Sequence, residues 1–291
     1  MSPYSIILNT PSLLCPIVGI IGLMVGSFLN VVIYRLPIMM QRGWKQECQE
    51  FLELPVSEES VATFNLALPG SHCPACNADI TALQNIPVLS YLLLKGKCAN
   101  CQTSISIRYP LVEALTGLLS LMVAYQLGGQ IETLFALLLT WVLIVLSSID
   151  FDHQLLPDNI TLPVLWLGLL LSLFNIFSDP VSSITGAIAG YLFLWTIYQL
   201  FKLFTGKGGM GYGDFKLLAL FGAWLGWQYL PLIILLSSLV GAIVGTAMII
   251  FVQRDKNIPI PFGPYLAIAG WIALLWGDQI NTLYLSSAGL I

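Results

Sequence analysis

Two aspartates stand where peptide-bond hydrolysis at a membrane boundary would need them. Asp150 ends one apolar segment, and Asp214, in Gly211-Tyr212-Gly213-Asp214, opens another. Two further apolar segments lie between them, so the chain leaves one membrane face and comes back to it, and carboxylates distant in sequence would share one site. Like charges in a partly desolvated site cannot both ionise cheaply, and the pair then holds a single proton near neutrality. The ionised partner takes a proton from water as general base, while the protonated one polarises a carbonyl and later protonates the leaving amine. No Ser, Cys or metal nucleophile is required, and no covalent intermediate forms.

The residues around each aspartate admit plainer readings as well. Ser148 to Asp158 carries Asp150, Asp152 and Asp158 at the end of an apolar run. Acidic residues commonly cap helices, and Asp158, after Pro157, is placed to be the N-cap of the next one. The second stretch, Lys207 to Asp214, is glycine-rich, with Gly211 and Gly213 flanking Tyr212. Glycine lets a peptide backbone approach a carboxylate closely, although a flexible turn between helices would also use it. A turn gives no reason for an acid entering the membrane. Phosphate binding is excluded on pattern, because no P-loop or dinucleotide fingerprint is present.

The elements that must position these residues are membrane helices. Apolar residues make up 57% of the 291-residue chain and charged residues only 9%, which no single water-exposed domain of this length tolerates. Apolar segments of roughly bilayer length are expected near Ser12–Ile33, Leu111–Leu127, Ile131–Ile149, Ile160–Phe177, Ile184–Phe204, Phe215–Leu230, Leu232–Val252 and Phe262–Gly277. The fold class is therefore an all-α polytopic membrane protein of about eight crossings. The sixth segment is the shortest in purely apolar residues and has Lys216 at its entry. Basic residues test the topology independently, since short cytoplasmic loops are enriched in them. Arg35, Arg42, Lys45, Lys95, Lys97 and Arg108 follow the first span. Lys202, Lys207 and Lys216 surround the join of the fifth and sixth, and Arg254 and Lys256 follow the seventh; these are all 11 Lys and Arg. Eight spans with both termini outside place every one of them, and both aspartates, at the cytoplasmic face. No basic stripe suggests a nucleic-acid partner. The spaced pairs Gly22/Gly26, Gly186/Gly190, Gly222/Gly226 and Gly241/Gly245 read as helix-packing surfaces.

Between Leu36 and Tyr109 the composition turns to Glu, Ser, Pro, Asn and Cys, marking a water-exposed insert. Cys73-Pro74-Ala75-Cys76 and Cys98-Ala99-Asn100-Cys101 form two knuckles separated by 21 residues, close to the spacing of a four-cysteine zinc ribbon. Four thiolates close the tetrahedral shell, leaving no open position, so the zinc is structural. Disulfides or reduced spare thiols are the competing reading, and cytoplasmic placement argues against the disulfides. Cys15 and Cys48 stand alone, and His72 is a neighbour of the first knuckle rather than a ligand.

These residues together resemble the type IV prepilin peptidases. The resemblance rests on Gly26 to Pro37, both knuckles, Arg108-Tyr109-Pro110-Leu111-Val112-Glu113, Asp150 to Asp158, Gly211 to Asp214, and Pro261-Phe262-Gly263-Pro264-Tyr265, and so covers nearly the whole chain. It implies that Asp150 and Asp214 are the catalytic pair, with Asp152, Asp158, Gly211 and Gly213 supporting. It also implies cleavage of a short basic leader after glycine, on prepilins or type II secretion pseudopilins, at the cytoplasmic face of the bacterial inner membrane. Methylation of the new N-terminus by S-adenosylmethionine would follow. No Rossmann-like fingerprint marks a pocket for that donor, and Gly26 to Pro37 with the cytoplasmic insert is the candidate region. One departure from the pattern is Gly70-Ser71-His72, where a basic residue is common. The expected division is a first transmembrane helix over residues 1–35, the four-cysteine insert over 36–109, and a seven-helix aspartyl peptidase domain over 110–291. Two alternatives remain: a presenilin-like intramembrane protease, which needs neither zinc nor methyl donor, and a non-enzymatic scaffold or transporter whose aspartates bind protons or cations.

Overall fold

The computed structural model describes residues 10–54, 64–206, 208–251 and 260–287. Lys207, Arg254 and Lys256, used above for topology, lie outside the described residues. The protein is all-helical and polytopic. Eight long helices stand where the apolar segments are expected: α1 (Pro11–Phe51), α3 (Arg108–Leu127), α4 (Ile131–His153), α5 (Asp158–Ser172), α6 (Pro180–Thr205), α7 (Tyr212–Leu225), α8 (Leu230–Phe251) and α9 (Gly263–Ser287). A short α2 (Leu89–Leu93) lies in the insert, and among the described residues the only β structure is two isolated bridges. Among the described residues, five stretches are long and apolar enough to cross a membrane: α1, α3, α4, α6 and Trp227–Met248. The 15 residues of α5 and the 14 of α7 fall short of the roughly 20 that a bilayer core demands.

The helices form two compact units, Met1–Gly129 and Gln130–Ile291. In the first, α1 and α3 run antiparallel in close contact. A Cβ on Gly22 would lie 2.6 Å from Ser120 Oγ, and one on Gly26 would lie 2.8 Å from the Glu113 Cα. The contact register continues to Asn30, whose Nδ2 donates to the Tyr109 carbonyl at 3.1 Å. Helix α1 does not stop where the sequence turns polar. It runs through Pro37 to Phe51, 41 residues and about 62 Å long at 1.5 Å per residue, twice a hydrocarbon core. Proline removes one backbone bond, and the Met, Gln, Lys, Arg and Glu that follow are strong helix formers, with Gln46 bonded to Glu50 one turn on. Arg35, buried on this helix, donates to the Asn65 carbonyl at 3.0 Å and the Pro69 carbonyl at 2.7 Å, tying this part of the insert to α1.

The second unit is built around α7. Its residues Phe215, Leu217, Leu218, Leu220, Phe221 and Ala223 are fully buried, which is what a helix apolar on every face requires. Neighbouring helices approach it at small residues. The backbones of Gly186 on α6 and Gly222 are so close that a Cβ on Gly222 would sit 2.1 Å from the Gly186 carbonyl oxygen. Trp224 lies against Gly168 of α5 and donates from Nε1 to the Val164 carbonyl at 2.8 Å, while Ser183 Oγ on α6 donates to the Ala223 carbonyl at 2.5 Å. Phe221 packs on Gly270 of α9, and Trp271 of α9 bonds Thr140 of α4 at 3.0 Å. This enclosed helix carries Asp214 in its first turn.

Candidate active site

Asp150 lies one turn from the end of α4 and Asp214 in the first turn of α7. Both are buried, at 6% and 7% of their possible exposure, and the charge of Asp150 reaches Asp214. Their segments meet around Leu156. After α4 the chain turns through Gln154, in the left-handed conformation with its N–H on the Asp150 carbonyl at 2.9 Å, and Leu156 and Pro157 then tuck inward. A Cβ on Gly213 would lie 2.7 Å from the Leu156 Cβ, so Gly213 is glycine because Leu156 packs on it. Around Gly211 the nearest atom to such a Cβ is Asp214 Oδ2 at 3.8 Å, which leaves this glycine's face open beside the carboxylate.

A third segment completes the site. Gly263, the first residue of α9, donates its N–H to Asp150 Oδ2 at 3.0 Å. The two acids expected to support the pair stand further out. Asp152 is exposed at the end of α4. Asp158 is not the N-cap of α5, a place taken by Pro157; it is the first helical residue, and both its oxygens accept from Lys216 Nζ at 2.7 Å. That bidentate pair ties the start of α5 to α7 two residues beyond Asp214.

In the first unit, the four cysteines converge. The Sγ atoms of Cys73, Cys76, Cys98 and Cys101 all lie within 4.8 Å of one another, and Cys73 and Cys101 are 3.7 Å apart. A tetrahedral zinc with Zn–S near 2.3 Å separates its sulfurs by about 3.8 Å, so the cage fits such an ion. The knuckles are copies of each other. Cys73 N–H bonds the Ala78 carbonyl and Cys98 N–H the Thr103 carbonyl, both at 2.9 Å, and Asn77 and Gln102 take positive φ at the matching turn positions. Asn100 Nδ2 lies 3.6 Å from Cys76 Sγ across the two knuckles. The Thr103 hydroxyl, 3.2 Å from Cys101 Sγ, pushes that thiol down to about 6, towards the thiolate that binds metal.

Comparison with known proteins fits both units. Residues 20–127 match the bacterial peptidase A24 N-terminal domain, and residues 137–246 match the type IV leader peptidase family. Over all of both chains the protein is 57% identical to a prepilin leader peptidase/N-methyltransferase of Stutzerimonas stutzeri. This chain belongs to the type IV leader peptidase family. Proteins of the same name from Pseudomonas aeruginosa (58% identical, 95% of this chain and 94% of that one) and Legionella pneumophila (48%, 97% and 98%) extend the likeness. No solved structure gives a significant match.

As a leader peptidase, the chain shows two contributions that its sequence hides. Gly263 reaches Asp150 through a backbone N–H, which no residue type advertises, although Pro261 to Tyr265 stands out as a motif. Lys216 is visible as a charge at a membrane entry, but its partner Asp158 is identifiable only once α5 and α7 are packed. In the region favoured for a methyl donor, Asn30 donates to the Tyr109 carbonyl and Arg35 to those of Asn65 and Pro69.

Proposed function

We propose that this protein removes the leader of type IV prepilins, and of secretion pseudopilins of the same kind, and then methylates the exposed N-terminus. The single observation that carries the hydrolytic half is the meeting of two buried aspartates from α4 and α7, in a chain colinear with prepilin leader peptidase/N-methyltransferases over its full length. The ionised aspartate takes a proton from water, whose oxygen attacks the scissile carbonyl. The protonated partner polarises that carbonyl and gives its proton to the amine as the C–N bond breaks. The open face of Gly211 beside Asp214 is where an extended substrate backbone would lie. The distribution of Lys and Arg supports an inner-membrane protein with both termini outside and this site at the cytoplasmic face.

Zinc held by Cys73, Cys76, Cys98 and Cys101 would stabilise the insert as a closed structural site. S-adenosylmethionine is the methyl donor that the relatives' name implies. The test is cleavage of a purified prepilin in detergent, with product N-termini read by mass spectrometry. Asp150→Asn and Asp214→Asn are each expected to lose cleavage by about 10³-fold or more, since proton transfer at both ends of the reaction passes through the pair. Wild type plus S-adenosylmethionine should add one methyl mass. Undiminished cleavage by either variant would remove the aspartyl pair, and absence of cleavage by folded wild type would favour a scaffold.

A further inference from the structure

Helix α9 enters the active site at its first residue, and the local chain is built to hold it there. The Phe262 carbonyl accepts the N–H groups of Tyr265 and Leu266, each at 3.1 Å, closing the first turn. Pro264 fixes its own φ inside that turn, where its missing N–H costs nothing. The Gly263 N–H is thereby aimed at Asp150 Oδ2, 3.0 Å away and wholly buried. Absence of a side chain at 263 is a condition of this contact. A Cβ there would lie 2.6 Å from Asp150 Oδ2 and 3.1 Å from its Cγ, with Leu156 Cδ1 at 3.3 Å on the same side. Other glycines of α9 abut ordinary packing groups: Gly270 faces the Phe221 ring and Gly277 the Tyr229 ring. Only at Gly263 is the atom in the way a reacting group.

We propose that Gly263 is a positioning residue of the aspartyl pair. Its N–H engages one oxygen of Asp150 and sets the rotation of the carboxylate, so that Oδ1 is the oxygen that exchanges protons with water and substrate. Its missing side chain is what allows α9 this close. The inference rests on Asp150 being half of the catalytic pair. It adds α9 to a machinery otherwise drawn from α4 and α7.

The experiment compares steady-state prepilin cleavage by wild type, Gly263→Ala, Gly270→Ala and Asp150→Asn in detergent, with thermal unfolding of each. A displaced carboxylate is expected to cost Gly263→Ala about ten-fold to a hundred-fold in kcat with KM within two-fold of wild type. Gly270→Ala, a packing change, lowers the unfolding temperature instead, with kcat per folded molecule preserved. A second variant carries glycolic acid at position 263, which turns the amide N–H into an ester oxygen and adds no side chain; it should lose kcat as well. Wild-type kcat in the ester variant, or a Gly263→Ala loss no greater than its loss of folded protein, overturns the positioning role. If Asp150→Asn itself cleaves, the aspartyl reading fails; if Asp150→Asn is inactive while both 263 variants are fully active, only the role of Gly263 fails.

Discussion

At the scale of the residue, charge beside lipid was the legible signal. Asp150 and Asp214 each interrupt an apolar run, and an ionisable group in that setting needs a reason to be there. Their meeting could be expected from the even number of spans between them. Invisible in the sequence were the groups that hold them, because Leu156 is one leucine among many and the Gly263 donor is main chain. The Asp158–Lys216 pair gives a residue-scale prediction. Its groups keep 51% and 26% of their side-chain exposure, so it behaves as a surface pair with good bidentate geometry, in the range of about 0.2–1 kcal/mol. Asp158→Asn and Lys216→Met are each expected to lower kcat/KM by no more than about five-fold, the equivalent of 1 kcal/mol. Exchanging the two residues, Asp158→Lys with Lys216→Asp, should recover most of that loss. In a double-mutant cycle of Asp158→Lys, Lys216→Asp and the exchange, an exchanged variant no better than the sum of those two singles would show that the pair does not couple α5 to α7.

At the scale of the element, helix positions were readable and helix ends were not. The polar composition after Leu36 suggested a separate insert, yet good helix formers carried α1 on through Pro37 to Phe51. Period and length likewise could not distinguish a lipid-facing span from α7, whose apolar faces are covered by protein. Gly22, Gly26, Gly186, Gly190 and Gly222 are close-packing positions as their spacing suggested, Gly186 with Gly222 the tightest, while Gly226 caps α7 at positive φ. At Gly222, an added Cβ meets backbone atoms of α6 at 2.1 and 2.3 Å, which no rotamer change relieves. Gly222→Ala is expected to destabilise the protein by about 1–3 kcal/mol, as overpacking does, and to reduce cleavage by shifting the helix that bears Asp214. Gly241→Ala, whose Cβ would find Tyr265 at an ordinary 3.4 Å, should leave unfolding temperature and rate unchanged. Unfolding followed in detergent separates the two; equal stability would mean that α6 and α7 give way more readily than their contact implies.

At the scale of the whole molecule, the cysteine cage and the two buried aspartates fall in different units. The spacing of the cysteines was enough to foresee their cluster, since two knuckles of the same kind leave little choice of geometry. The crossing number was not settled by composition, because α5 and α7 are too short for it to decide. Metal removal tests the division. One zinc per chain is expected by elemental analysis, and a chelator or Cys73→Ser should make the insert sensitive to protease while cleavage by the second unit persists. Loss of cleavage with the insert still protease-resistant would mean that the metal does more than stabilise. The enclosure of α7 and the entry of α9 at Asp150 also bear on biosynthesis. Ribosomes deliver helices in order, and Gly263 is synthesised after both aspartates. A chain that has passed Asp214 but not yet reached Gly263 therefore holds both aspartates without the backbone N–H that Asp150 accepts.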